Sequence, residues 1–271
     1  MSMPAPPVAL PLAPGATYCM DCVSGMQALA DGTVDCVIAD PPFNLRNGGR
    51  LFRGGRLTQS SDMAWDHVDN APWLAEACRV LRPTGTLFVF ATWHNLFEVG
   101  GLLQRAAARI LNTITLVKTN GFSVSHRILY ERTVYLLWVS PSGQGWHYDY
   151  ALMRRLDGRQ LSNVWTYTPP SRRSHPCQKD LAILERILLM ATRPGDLVLD
   201  PFMGSGTTAE ACVRQGRRFL GFEQLAAYAA QANARVRGLA WAWEHALRSR
   251  GDRPEGSEGR DSLEASSGKE G

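Results

Sequence analysis

The run Leu197-Val198-Leu199-Asp200, followed by Pro201-Phe202-Met203-Gly204-Ser205-Gly206-Thr207-Thr208, constrains the fold of this 271-residue chain more than any other feature. Three apolar residues closing on a carboxylate read as a buried strand, and the glycines let the backbone turn tightly into a helix. A strand, a glycine turn and a helix form the repeating unit of an α/β sheet, which binds ligands at its carboxyl edge.

The same rhythm recurs along the chain. Val34 to Ala39 is a short apolar run halted by Pro41 and Pro42, a buried strand stopped at its carboxyl end. A helical stretch from Ala71 to Leu81 closes on Arg82-Pro83-Thr84-Gly85, and Gly85 to Ala91 is the next strand. Further strands are expected at Ile110 to Val117, Thr133 to Val139, Asp196 to Asp200 and Arg218 to Phe222. Helices are expected at Leu96 to Ala108, Asp180 to Ala191 and Thr207 to Gln215. Such alternation predicts one α/β domain over 18–245 with a largely parallel sheet. Residues 1–17 are expected to form a flexible segment, and 250–271, almost without large apolar residues, a disordered tail. Two stretches break the rhythm: Arg46 to Asp62, rich in Gly and Arg, and Ser140 to Ser174, rich in aromatics and Arg. Long irregular segments in a compact domain are more often functional than idle.

At 45% hydrophobic and 20% charged residues, the chain is neither disordered nor fibrous. Its net charge of +4 includes an acidic tail after Arg250, so the body is more basic, which suits a polyanionic partner. No window carries about 18 uninterrupted apolar residues, and the Pro/Ala-rich start lacks the pattern of a signal peptide, so a cytoplasmic protein without membrane contact is expected. The six cysteines are scattered and expected to be reduced. Cys19-Met20-Asp21-Cys22 lacks the two further ligands a zinc site requires, so no metal is expected.

The glycine turn has no following Lys, which excludes a phosphate loop, and an Asp precedes it, which does not suit a pyrophosphate. Glu223 ends the next apolar run, Phe219-Leu220-Gly221-Phe222, where α/β folds place a carboxylate for ribose hydroxyls. A nucleoside without phosphates fits this pair, and S-adenosyl-L-methionine (AdoMet) has that chemistry.

Asp40-Pro41-Pro42-Phe43 poses a second problem. An exocyclic amine on a nucleobase is a poor nucleophile because its lone pair is delocalised into the ring. Asp40 can accept one amino hydrogen and the Pro41 carbonyl the other, while two prolines hold both acceptors in place. Phe43 offers a flat face for an extruded base. By itself the segment is equally a turn that ends a strand.

Together these segments resemble the β-class DNA amino-methyltransferases, in which the catalytic motif precedes the AdoMet motif. The resemblance runs from Tyr18 to Arg235 through Met20-Asp21, Val34 to Leu45, His175-Pro176-Cys177-Gln178-Lys179, the Asp200 motif and Arg217 to Glu223. It implies a Rossmann-like AdoMet-dependent methyltransferase fold, helices on both faces of the sheet, and a small target-recognition insertion at 140–174. It makes Asp40, Pro41, Pro42 and Phe43 catalytic, with Asp40 also among the cofactor-binding residues. Asp200, Phe202, Gly204, Ser205, Gly206 and Thr207 would serve the methionine moiety and turn, and Glu223 the ribose. Asp21 and Cys22 would reach the adenine, although Asp21 alone reads as a helix N-cap. Lys179, with His175, would lie near the amino acid end of the cofactor. Leu116 stands where family members often carry Trp, which leaves the roles of Lys118 and Asn120 open.

Arg46, Arg50, Arg53 and Arg56 lie among glycines just after the catalytic segment, where a mobile basic loop over 46–62 would meet phosphates. Arg172 and Arg173 are the corresponding candidates in the second stretch. The expected reaction is methyl transfer from AdoMet to N6 of adenine in duplex DNA, with base flipping. N4 of cytosine is the alternative, and a catalytically silent DNA-binding module or an RNA methyltransferase are the rivals. The resemblance implies double-stranded DNA as partner, with a cognate restriction endonuclease and a homodimer as further candidates.

Overall fold

The computed structural model describes residues 12–43, 51–53, 56–58, 68–122, 129, 131–169 and 179–249, with backbone alone at 51–53, 56–58, 121–122 and 240–249. The chain divides into two compact units, Met1–Val236 and Arg237–Gly271, and every described strand belongs to the first.

Among the described residues, ten strands and seven helices follow one another as β1 (Ala16–Cys19), α1 (Cys22–Gln27), β2 (Val34–Ala39), β3 (Leu51–Arg53), β4 (Arg56–Thr58), α2 (Asn70–Val80), β5 (Leu81–Ala91), α3 (Leu96–Arg105) and β6 (Arg109–Phe122). There follow β7 (Glu131–Ser140), α4 (Tyr150–Asp157), β8 (Val164–Tyr167), α5 (Leu181–Ala191), β9 (Leu197–Asp200), α6 (Thr207–Arg214), β10 (Arg218–Glu223) and α7 (Ala226–Ser249). Eight strands form one sheet in the order β1-β10-β9-β2-β5-β7-β6-β8. The run from β1 to β5 is parallel, β7 is antiparallel to both neighbours, and β8 is parallel to β6. The sheet is therefore mostly parallel, as expected, with one reversed strand.

Helices cover both faces. On one, Met26 of α1, Trp73 and Leu74 of α2, and Val99 and Leu103 of α3 pack with Val37, Val89 and Leu199. On the other, Met153 of α4, Ile187 of α5, Ala209 and Cys212 of α6 and Ala232 of α7 pack with Ile38, Phe88 and Val198. Alternate residues of β2 and β9 thus enter opposite cores, which is why both strands read as unbroken apolar runs.

The structure corrects several expectations. Arg82-Pro83-Thr84-Gly85 does not separate helix from strand; it is the lead-in of β5, with a register shift between Val34 and Cys36. Proline is tolerated at such a bulge. Ala16 and Thr17, expected in the flexible start, pair with Leu220 and Gly221, and the Asn233 side chain bonds both backbone polar groups of Thr17. The stretch 46–62 carries the β3-β4 hairpin. The stretch 140–174, expected to be irregular, contributes α4 and β8, because Met153 and Trp165 are apolar anchors buried in the core.

Gly206 has φ +82°, and a Cβ there would lie 2.7 Å from the Ala232 backbone in α7. Gly158 is also left-handed, at φ +71°, but has open space around it. Gly206→Ala is expected to cost roughly 3 kcal/mol and Gly158→Ala about 1 kcal/mol in urea denaturation. Equal costs would show that α7 does not pack on the turn.

Candidate functional site

Parallel alignment delivers three carboxylates to one edge. Cys19 is in register with Glu223, Gly221 with Asp200, Val37 with Leu199, and Ala39 with Val89. Glu223, Asp200 and Asp40 therefore sit at or just beyond the carboxyl ends of β10, β9 and β2.

The glycine turn is held from beneath. Gly204 and Gly206 have φ +53° and +82°, values that suit glycine. Gly204 N donates to Glu223 Oε2 at 2.9 Å, Leu225 N donates to Glu223 Oε1 at 2.8 Å, and Met203 N donates to the Phe222 carbonyl at 2.9 Å. Each Glu223 oxygen keeps a further lone pair for a ligand hydroxyl. Phe202 meets Trp73 edge to face, with ring centroids 5.2 Å apart. Ser205 and Thr207 are buried.

Arg235, which the sequence reading did not single out, reaches in from α7. It donates to the Ser205 carbonyl at 3.3 Å and to Thr207 Oγ1 at 3.2 Å, and pairs with buried Glu210. Arg214 bridges the same carboxylate at 2.7 Å. A charged residue at the end of the first turn of α6 is thereby satisfied twice, and the glycine turn gains a second clamp.

Asp40 is held asymmetrically. Lys179 Nζ donates to Asp40 Oδ2 at 2.5 Å, with the two side chains only 16% and 21% exposed. Asp40 Oδ1 is buried and has no hydrogen-bond partner among the described residues. The Lys179 ammonium also lies 5.1 Å from the ring centres of both Phe43 and Phe90, within cation–π range. One cation thus holds the carboxylate and lies over the aromatic face that follows it. Pro41 is buried, whereas Pro42 and Phe43 are partly exposed.

The remaining candidates fall differently. Lys179, expected by resemblance near the amino acid end of the cofactor, is engaged with Asp40. Asp21 caps α1, accepting from Ser24 N at 2.9 Å and Ser24 Oγ at 3.1 Å, which is the role its position alone suggested. It still lies at the rim: Gln224 Nε2 donates to its other oxygen at 3.3 Å, and neighbouring Met20 N donates to the Glu223 carbonyl. The Cys22 thiol is packed in the core, and burial pushes its pKa up to about 12. Arg53 and Arg56 face one another across the β3-β4 hairpin in backbone register. Arg46, Arg50, Arg172, Arg173 and His175 lie outside the described residues.

A left-handed glycine turn flanked by Asp200 and Glu223 suits a cationic nucleoside without phosphates, the chemistry of AdoMet. Carboxylates favour its sulfonium and ammonium charges, and backbone N–H groups can meet its carboxylate.

Comparison with known proteins decides the family. The family model for DNA methylases of the N6/N4 type matches residues 34–234. The chain belongs to this family. Type II methyltransferase M2.DpnII of Streptococcus pneumoniae is 37% identical over 221 residues, covering 75% of this chain and 82% of its own. Type II methyltransferase M2.LlaDCHI of Lactococcus lactis subsp. cremoris is 36% identical over 228 residues, covering 78% and 85%. Among solved structures, the M1.HpyAVI-SAM complex is similar at TM-score 0.61 and 26% identity, over 81% of this chain and 98% of that one. The cytosine-N4-specific PvuII DNA methyltransferase shares the fold at TM-score 0.64 and 18% identity, over 82% and 86%. The protein is an AdoMet-dependent DNA amino-methyltransferase.

Within this enzyme Asp200 is buried beneath the turn, accepting from Phe202 N at 2.9 Å and from the Thr208 hydroxyl. Burial, reinforced by nearby Asp40 and Glu223, raises its pKa from 3.8 to about 7. Between those values the folded chain holds a proton that the unfolded chain has lost, so stability falls as pH rises across this window and is fully regained only below about 4. Asp200→Asn removes the titration. Urea denaturation is expected to show the variant gaining on the parent protein from pH 5 to pH 8; a constant difference would contradict the assignment.

Proposed function

We propose that this methyltransferase acts on the exocyclic N6 of adenine extruded from duplex DNA, and that Asp40 is the residue that activates the amine. The buried Oδ1 of Asp40, which has no hydrogen-bond partner among the described residues, carries the reading. A buried acceptor without a donor is costly, and an amino group of the substrate is the donor that completes it.

Bound AdoMet supplies an electrophilic methyl group on a sulfonium. Asp40 Oδ1 and the Pro41 carbonyl accept the two amino hydrogens, drawing the nitrogen towards a tetrahedral shape with a localised lone pair. Lys179 keeps Oδ2 occupied and so directs Oδ1 at the amine. Preorganised groups of this kind act without reorganising during reaction, which is where most electrostatic catalysis arises. As the new N–C bond forms, the bond from that methyl carbon to sulfur breaks with its electron pair left on a neutral thioether, and one N–H proton leaves by way of Asp40 Oδ1 to water. Phe43, steadied beneath the Lys179 ammonium, offers a stacking face for the extruded base.

Glu223 binds the ribose and the Gly204–Thr207 turn the methionine moiety, with Asp21 at the adenine end of the same rim. Asp in first place in the catalytic segment favours adenine, because cytosine-N4 enzymes more often carry Ser there. The type II names of the relatives favour a place beside a cognate restriction endonuclease, whose cutting the methylation would block.

Transfer of labelled methyl groups from AdoMet to amplified, and hence unmethylated, genomic DNA tests these roles. Asp40→Ala is expected to lose at least about a hundredfold in kcat while its AdoMet Kd stays unchanged. Lys179→Met is expected to lose roughly tenfold or more in kcat, again with unchanged AdoMet affinity. Weakened AdoMet binding with intact kcat in Lys179→Met would return that residue to the cofactor, and an active Asp40→Ala would end the proposed mechanism.

A further inference from the structure

The loop after β5 carries an aromatic side chain that neither the fold nor the proposed chemistry uses. Thr92-Trp93-His94-Asn95 follows Ala91 at the carboxyl end of β5, the strand paired with β2. The catalytic segment begins one residue beyond Ala39, which is in register with Val89, and the Phe90 ring touches the Lys179 ammonium that holds Asp40. Trp93 therefore stands on the rim of the site, in the loop that follows the strand next to β2.

The loop is built to display it. Asn95 is fully buried; its Oδ1 accepts from Thr92 N at 2.9 Å, and the Thr92 carbonyl accepts from Asn95 N at 3.2 Å and Leu96 N at 2.9 Å. Held in this closed turn, Trp93 is 55% exposed, and Phe97, in the first turn of α3, is 82% exposed. The indole lies on the His94 imidazole, with ring centroids 3.7 Å apart and planes 27° apart, and its Nε1 donates to Glu131 Oε2 at 3.3 Å. His94 Nδ1 is itself within 3.2 Å of Thr92 Oγ1. One indole face is backed and its polar atom engaged, so what remains available is flat and apolar.

We infer that Trp93 stacks on a nucleobase of the DNA substrate beside the extruded target. The inference rests on the reading that the enzyme acts on a base taken out of a duplex. Extrusion leaves an unstacked neighbour and a gap in the duplex, and aromatic or apolar side chains fill such gaps. A base has the same flat, apolar face as the indole and is the group that the rim of this site must meet. Trp93 is thus a positioning residue for DNA and takes no part in cofactor binding.

Kinetics on amplified genomic DNA, with calorimetric AdoMet binding and thermal denaturation alongside, tests this. Trp93→Ala is expected to raise the KM for DNA about tenfold or more, as loss of base stacking does. Its kcat, AdoMet Kd and Tm should remain close to those of the parent protein, and Trp93→Phe should restore most of the loss. Intrinsic fluorescence should be quenched by DNA more strongly in the parent than in Trp93→Phe. An unchanged KM in Trp93→Ala would overturn the inference, as would a loss matched by weaker AdoMet binding or a lower Tm. If the parent protein labels no DNA, the functional reading falls and takes this inference with it. Labelling by the parent with indifference to Trp93 sinks this inference alone.

Discussion

The site depends on a 2.5 Å ion pair between Lys179 and Asp40, formed where parallel strands bring acidic residues to one edge. Without that cation, Asp40 would add an uncompensated charge close to Asp200 and Glu223, at a cost that grows with burial. With it, one carboxylate oxygen is occupied, while the other has no partner among the described residues and is free for the proposed contact with the substrate amine. The geometry that neutralises the charge thereby also orients the acceptor.

A second arrangement supports the glycine turn, the proposed cofactor half, in the same way. Glu223 fixes the turn through Gly204 N and Leu225 N, and Arg235 fixes it from α7 through Ser205 and Thr207. Gly206 permits the close approach of α7 that makes the Arg235 contacts possible. The turn is therefore shaped from both sides before any ligand arrives, as preorganised binding requires.

Much of this was legible in the chain. β2, β9 and β10 are buried on both faces and so appear as apolar runs closed by Asp40, Asp200 and Glu223, which points directly to the ligand edge. The rest was not legible, for physical reasons. β8 has only four residues and lies at the sheet edge, with Val164 exposed and Trp165 buried, too short a pattern to separate from a loop. The reversal of β7 depends on pairing with β5 and β6, which no local signal encodes. Lys179 and Asp40 are 139 positions apart, and Arg235 is remote from the turn it clamps; contacts of that kind arise only from the packed fold. Trp93 went unremarked because exposed aromatics are distinguished by burial, which a sequence does not display.

The proposed chemistry converges on one amino group, met by the Asp40 acceptor that the fold already holds in place. Nucleoside mass analysis of DNA from cells producing the protein tests that claim most directly. N6-methyladenine is expected above the level in cells producing Asp40→Ala. N4-methylcytosine in its place would contradict the assignment to adenine, and equal methylation in both cells would contradict the role of Asp40.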